Sequence, residues 1–254
     1  MDFFWYILAG VGVGFAVGMT GVGGGSLMTP LLLMFGFPPN IAIGTDLMYA
    51  GIAKSTGVYM HAKHGHVDWK IMRSMALGSI PASLLTIWAL SSFHAPEHYQ
   101  TLLTSTLGVM LVATAMVLIF KKKIINQNKA EQRSPQKSHT YIFISGIILG
   151  ALVTLTSVGA GALGTALMMV LFPVMSARNI VGTDLAHAVP LTLVAGLGHL
   201  ALGNVDYSLL AALLIGSIPA IYVGTQVATR VPNKVLQPIL ASALMGFGLK
   251  YLFF

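Results

Sequence analysis

The chain has 254 residues, 56% of them hydrophobic and 8% charged, with a mean hydropathy of +0.81. A soluble domain carries about 25% charged residues, so this composition excludes an ordinary water-soluble fold and predicts an all-α, polytopic membrane protein. The net charge of +7 does not mark a nucleic-acid partner, because six of the 14 Lys and Arg residues lie in one stretch, Lys121 to Lys137; the lack of cysteine excludes disulfides and thiolate metal sites.

The first apolar segment covers roughly residues 3–19. No basic stretch precedes it and no small-residue cleavage pattern follows it, so it reads as a retained span. Thr20 then leads into Gly21, Gly23, Gly24 and Gly25, and these into a short apolar segment, 25–36. Clustered glycines unwind a helix and let backbone approach a ligand closely. Inside a bilayer such a break is tolerated only where its N–H and C=O groups face protein or a water-filled cavity. The short helix after the break aims its free N–H groups and positive dipole end into the membrane, which is an anion site. The alternative reading is close helix packing through small residues.

The third segment, 41–62, carries Thr45, Asp46, Lys54 and His61. An intramembrane lysine marks a functional site by default. Asp46 reads either as the cap of a helix beginning after Gly44-Thr45 or as a proton-coupling carboxylate beside Lys54. Eight residues of helix rise about 12 Å, so a direct Asp46–Lys54 pair requires an unwound helix start. His61 reads as interfacial or proton-coupling; His64 and His66, in the loop, are assigned no role. Asp68 is placed to N-cap the fourth segment, 71–92, which carries Pro81 as a kink. The fifth, 100–120, includes a charge-free run long enough to cross a hydrocarbon core of about 30 Å. Residues 121–139 read as a basic cytoplasmic linker.

The remaining segments, 140–156, 161–176, 179–202, 207–229 and 234–254, repeat the first five. Gly44 and Gly182 of the G-T-D-L motifs, His61 and His199, and Asp68 and Asp206 are all 138 apart (182 − 44, 199 − 61, 206 − 68). The glycine motifs are 136 apart, the second being Thr156, Gly159 and Gly161. The chain is thus a duplication, 1–120 and 140–254. Thr183 and Asp184 repeat Thr45 and Asp46, Asp206 repeats the capping position of Asp68, and His199, like His61, reads as interfacial or proton-coupling. Thr192 stands where the first half has Lys54, and His187 adds a histidine three residues after Asp184.

With the linker in the cytoplasm and all ten segments crossing, 12 of the 14 basic residues fall on the cytoplasmic side. The halves then insert with opposite orientation, the inverted-repeat plan of secondary transporters. An eight-span arrangement with both short segments re-entrant is the second reading.

The pattern "GVGGGSLMTPLLL", "AIGTDL" and "GHVDW", with its second copy, resembles the sulfite exporter TauE/SafE family over nearly the whole chain. The resemblance implies a carrier of small sulfur-containing anions (sulfite, sulfonates and related oxyanions) in a bacterial inner membrane, coupled to an ion gradient. Both G-T-x-L positions here hold Asp, where many members resembling the sulfonate exporters have Ser. The predicted substrate-binding residues are Thr20, Gly21, Gly23, Gly24, Gly25, Thr45, Lys54, Thr156, Gly159, Gly161, Thr183 and Thr192. Asp46, Asp184, His187, His61 and His199 are the predicted proton-coupling residues. No metal-ligand cluster, nucleotide motif or nucleophile–base pair stands out, so no enzyme activity, cofactor or metal is expected. The expected partners are a small anion and the lipid bilayer, with a passive channel as the alternative function.

Overall fold

The computed structural model describes residues 2–20, 25–92, 96–128, 135–228 and 233–253, and among them there is no strand. Ten helices follow in order: α1 (Asp2–Thr20), α2 (Gly25–Met34), α3 (Pro39–Lys63), α4 (Trp69–Ser91), α5 (Pro96–Asn128), α6 (Pro135–Thr156), α7 (Ala162–Leu171), α8 (Ala177–Ala201), α9 (Tyr207–Ala228) and α10 (Asn233–Phe253). Each corresponds to one predicted apolar segment. The span Tyr99–Phe120 of α5, and α4, α8 and α9, are long and apolar enough to cross a membrane, and this is a multi-pass membrane protein. α2 and α7 have ten residues each, about 15 Å of rise, or half a hydrocarbon core.

Three local expectations change. α3 begins at Pro39 rather than after Gly44-Thr45, because Pro38-Pro39 pre-sets the helical φ at the first turn. α8 begins at Ala177, where Ser176 accepts from Asn179 N at 3.2 Å. Asp46 and Asp184 therefore cap nothing; both lie seven residues inside their helices and are buried. Most of the basic stretch is also helical, since α5 continues to Asn128 and α6 starts at Pro135.

Asp68 and Asp206 do cap. Asp68 Oδ1 accepts from Lys70 N (3.0 Å) and Ile71 N (3.1 Å), and Asp206 Oδ1 accepts from Leu209 N (2.9 Å). Asp68→Ala and Asp206→Ala are each expected to cost about 1 kcal/mol. Thermal unfolding of the detergent-solubilised protein measures this, and a serine at either position should recover most of the loss.

The helices pair across the two halves. α1 packs most extensively on α9 and α4 on α6, while α3 packs on α8 and α5 on α10. Exchanging the halves maps the first two pairs onto each other and the last two onto themselves. The pattern of small residues does the same. A Cβ on Gly14 of α1 would lie 2.6 Å from Ser217 Cα, and one on Gly150 of α6 would lie 2.7 Å from Ser79 Cα. Glycines at these crossings let backbones approach closely, the means by which helices associate without a hydrophobic driving force.

Candidate functional site

The chain breaks between α6 and α7. Ser157 has φ 58°, Gly159 φ 112° and Gly161 φ 143°, so the predicted unwinding at Thr156–Gly161 is present. Thr156 steadies the break: its hydroxyl donates to Leu152 O (2.7 Å) and accepts from Val158 N (3.1 Å). α7 then starts at Ala162, and its first turn is tied to the break: Gly164 N donates to Gly159 O (3.3 Å) and Thr165 N to Gly161 O (2.9 Å). Gly21, Gly23 and Gly24 of the first-half motif lie outside the described residues; Thr20 ends α1 and Gly25 opens α2.

Each short helix hands a threonine to a buried carboxylate. Thr29 of α2 donates to Asp46 Oδ2 through both its backbone N (3.2 Å) and its hydroxyl (2.5 Å). Thr165 of α7 donates through its hydroxyl to Asp184 Oδ2 at 2.9 Å. The second oxygen of each carboxylate, Oδ1, has no hydrogen bond. Ser157 of the break approaches Asp46 without reaching bond geometry, and Asp184 Oδ1 lies against Gly164, where a Cβ would overlap it.

Lys54 does not bond Asp46. α3 is continuous between them, so the two positions stay about 12 Å apart along the axis. Lys54 Nζ instead donates to Ala160 O, inside the broken segment of the other half, at 2.9 Å. Its side chain is buried, within electrostatic range of both Asp46 and Asp184. A buried ammonium of one half thus rests on the helix break of the other, next to the N-terminus of α7. Thr192, its counterpart, turns away: its hydroxyl donates to Ala188 O of its own helix (2.9 Å), and it packs on Gly51.

Thr45 and Thr183 hold the two halves together. Thr45 Oγ1 accepts from Asp206 N (3.1 Å) and Thr183 Oγ1 from Asp68 N (2.9 Å), so each G-T-D threonine grips the capping residue of the opposite half. The adjoining loops dock on the motif glycines, Asn204 on Gly44 and His66 on Gly182.

The histidines separate by environment. His199 is fully buried rather than interfacial: Nε2 meets Thr154 O at 2.9 Å and Nδ1 meets Asn204 Nδ2 at 3.4 Å. The carbonyl requires N–H at Nε2 and the amide requires a lone pair at Nδ1, which is the neutral ring. Asn204 is itself anchored by Asn40 (2.7 Å) and Tyr99 (3.1 Å). His187 is buried with Nε2 on Ser79 Oγ at 2.8 Å. His61 is half-buried beside the His66 ring, 5.6 Å between centroids, with Nδ1 against Gly182 of α8.

Residues 6–251 match the family described as Sulfite exporter TauE/SafE. The chain belongs to the sulfite exporter TauE/SafE family. It is 39% identical over 248 residues to "Probable membrane transporter protein YjnA" of Bacillus subtilis, covering 96% of this chain and 97% of that protein. It is 28% identical to "Probable membrane transporter protein YdhB" of the same organism, over 92% of this chain and 96% of that one. It is also 29% identical to "Probable membrane transporter protein MJ0441" of Methanocaldococcus jannaschii, over 96% and 92%. No solved structure matches it. Membership makes this chain a membrane transporter.

For this member of the TauE/SafE family, the geometry adds partners that the motif reading passed over. Thr29, Thr165, Ser157 and the Ala160 carbonyl all touch Asp46, Asp184 or Lys54. One signal was available, because Thr29 and Thr165 are 136 apart, the same offset as the glycine motifs (165 − 29).

Proposed function

We propose that this chain is a secondary carrier of small sulfur-containing oxyanions in a bacterial inner membrane, coupled to the proton gradient. The observation that carries this reading is the Lys54–Ala160 contact: a buried cation set on an intramembrane helix break. A desolvated ammonium beside the positive end of a helix attracts a small anion, and the remaining N–H groups of Lys54 are donors for it. Gly159 and Gly161 supply the positive-φ backbone that the break requires. Asp46 and Asp184 supply exchangeable protons, each held at one oxygen by a threonine and unbonded at the other. The carrier, rather than channel, reading is supported by the exchange of contacts between halves, which fits two repeats rocking about a shared midplane site. Odd numbers of crossings per half make those repeats inverted.

The purified full chain in proteoliposomes with an alkaline interior is expected to accumulate sulfite or a sulfonate, and to stop when the pH gradient is collapsed. Uptake of none of a panel of sulfur anions would remove the reading; uptake that ignores the gradient would replace the carrier with a channel.

A further inference from the structure

The charge count of the buried layer sets the valence of what it can carry. Three charged side chains are buried among the described residues: Asp46, Asp184 and Lys54. The elements packed on α3 and α8 bring no other. α2, α7 and α9 contain no Asp, Glu, Lys, Arg or His, and α4 has Lys70 and Arg73 only near its start. In α5 such residues are Glu97 and His98 near the start and Lys121–Lys123 beyond the span, and in α6 they are Lys137 and His139 near its start. Tyr49, the repeat counterpart of His187, lies against Ser217 and carries no charge.

Both buried histidines fit the neutral ring. His199 has one donor and one acceptor role, as described. In His187 the second nitrogen, Nδ1, has no hydrogen-bond partner. An imidazolium would need an acceptor at both nitrogens, and a buried N–H without one is costly.

With both carboxylates ionised the layer is −1, and adding an anion makes it −2. Uncompensated charge at membrane depth is unfavourable, so the populated states are those that sum to zero. Empty, that state has Lys54 positive, one carboxylate ionised and one protonated. Loaded with a monoanion, it has Lys54 positive and both carboxyls protonated. The two differ by one anion and one proton. A dianion leaves the loaded layer at −1 even with both carboxyls protonated.

We propose that this layer binds monovalent oxyanions together with one proton shared between Asp46 and Asp184, and rejects divalent ones. This rests on the anion-carrier reading above and adds the substrate's valence and the stoichiometry. The charge balance is closed: the proton enters with the anion from one face, the ionised carboxylate takes it, and both leave at the other.

The test compares two tetrahedral sulfur oxyanions that differ in charge, methanesulfonate and sulfate, in proteoliposomes of the full chain with the membrane potential clamped separately from the pH gradient. Isethionate and thiosulfate serve as a second monovalent and divalent pair. The monoanions should accumulate about tenfold per unit of pH gradient, at any clamped potential, while the dianions stay out. The variant Asp46→Asn/Asp184→Asn leaves Lys54 alone, so loading changes the layer from +1 to zero. Its uptake should ignore pH and follow an inside-positive potential. Sulfate or thiosulfate uptake matching the monoanions overturns the proposal while leaving anion transport intact, as does potential-driven uptake by the unaltered chain. If neither valence crosses, the anion-carrier reading falls and takes the proposal with it. Should the double variant not fold, the valence and potential results on the unaltered chain decide.

Discussion

Lys54→Met is expected to insert and fold but to lose anion transport. Methionine matches the lysine stem in length and removes a charge whose placement at the centre of a span costs about 3 kcal/mol on insertion scales. Against this, the Ala160 carbonyl loses its donor, at about 1–3 kcal/mol for a buried acceptor. The two nearly offset, so the melting temperature should move little. Transport should not survive, because among the described residues the ammonium is the one buried cation of the layer, and a bound anion would face two carboxyls without it. Losing about 2 kcal/mol of charge-assisted hydrogen bonding corresponds to about a thirtyfold weaker site. Uptake, measured beside a thermal melt of the same preparation, separates the two effects. Normal uptake over the whole anion panel would show Lys54 to be a structural tether between α3 and the break.

The second large effect is expected at Gly164. Alanine favours a helix over glycine by about 1 kcal/mol, so Gly164→Ala should stabilise α7 if nothing else changed. Its Cβ, however, would overlap Oδ1 of Asp184, which is buried and held at Oδ2 by Thr165 of the same helix. The carboxyl must move, and the hydrogen bond to Thr165 must stretch or break with it. Transport should fall about tenfold or more, the equivalent of about 1.4 kcal/mol at the site. Its pH profile should shift as well, since the displaced group is one of the two proton carriers. Gly12→Ala is the control: a Cβ there meets nothing within 4 Å, and the variant should transport normally. If Gly164→Ala transports with an unchanged pH profile, Asp184 does not exchange its proton during turnover.

Much of the fold was legible in the residues alone. The ten segments follow from continuous apolar runs, whose energy is a local sum over each run and needs no knowledge of neighbours. Asp68 and Asp206 could be read as caps because a cap bonds N–H groups two or three residues away, inside its own segment. Asp46 and Asp184 were harder. The same residue type fits a cap or a buried site, and the choice turned on where the helix starts, which Pro38-Pro39 and Ser176 decide.

By itself the sequence determined that this is a membrane protein, that its two halves repeat one pattern, and that a lysine in the first half has no basic counterpart; it also pointed to a glycine break in each half, of which the described residues include the second. Only the tertiary structure decided who bonds whom. Lys54 reaches Ala160 rather than Asp46; Thr45 and Thr183 clasp capping residues of the opposite half; and Thr154 and Asn204 hold His199 as a neutral ring. The physical reason is the range of the interactions. Hydrophobicity, helix propensity and capping act along a few residues of chain, so their pattern is written in the order of the residues. A buried donor has several chemically equivalent acceptors, and the close crossings that choose among them join residues far apart in the chain: Thr183 and Asp68 are 115 positions apart, and Thr154 and Ser83, where α6 crosses α4, are 71 apart.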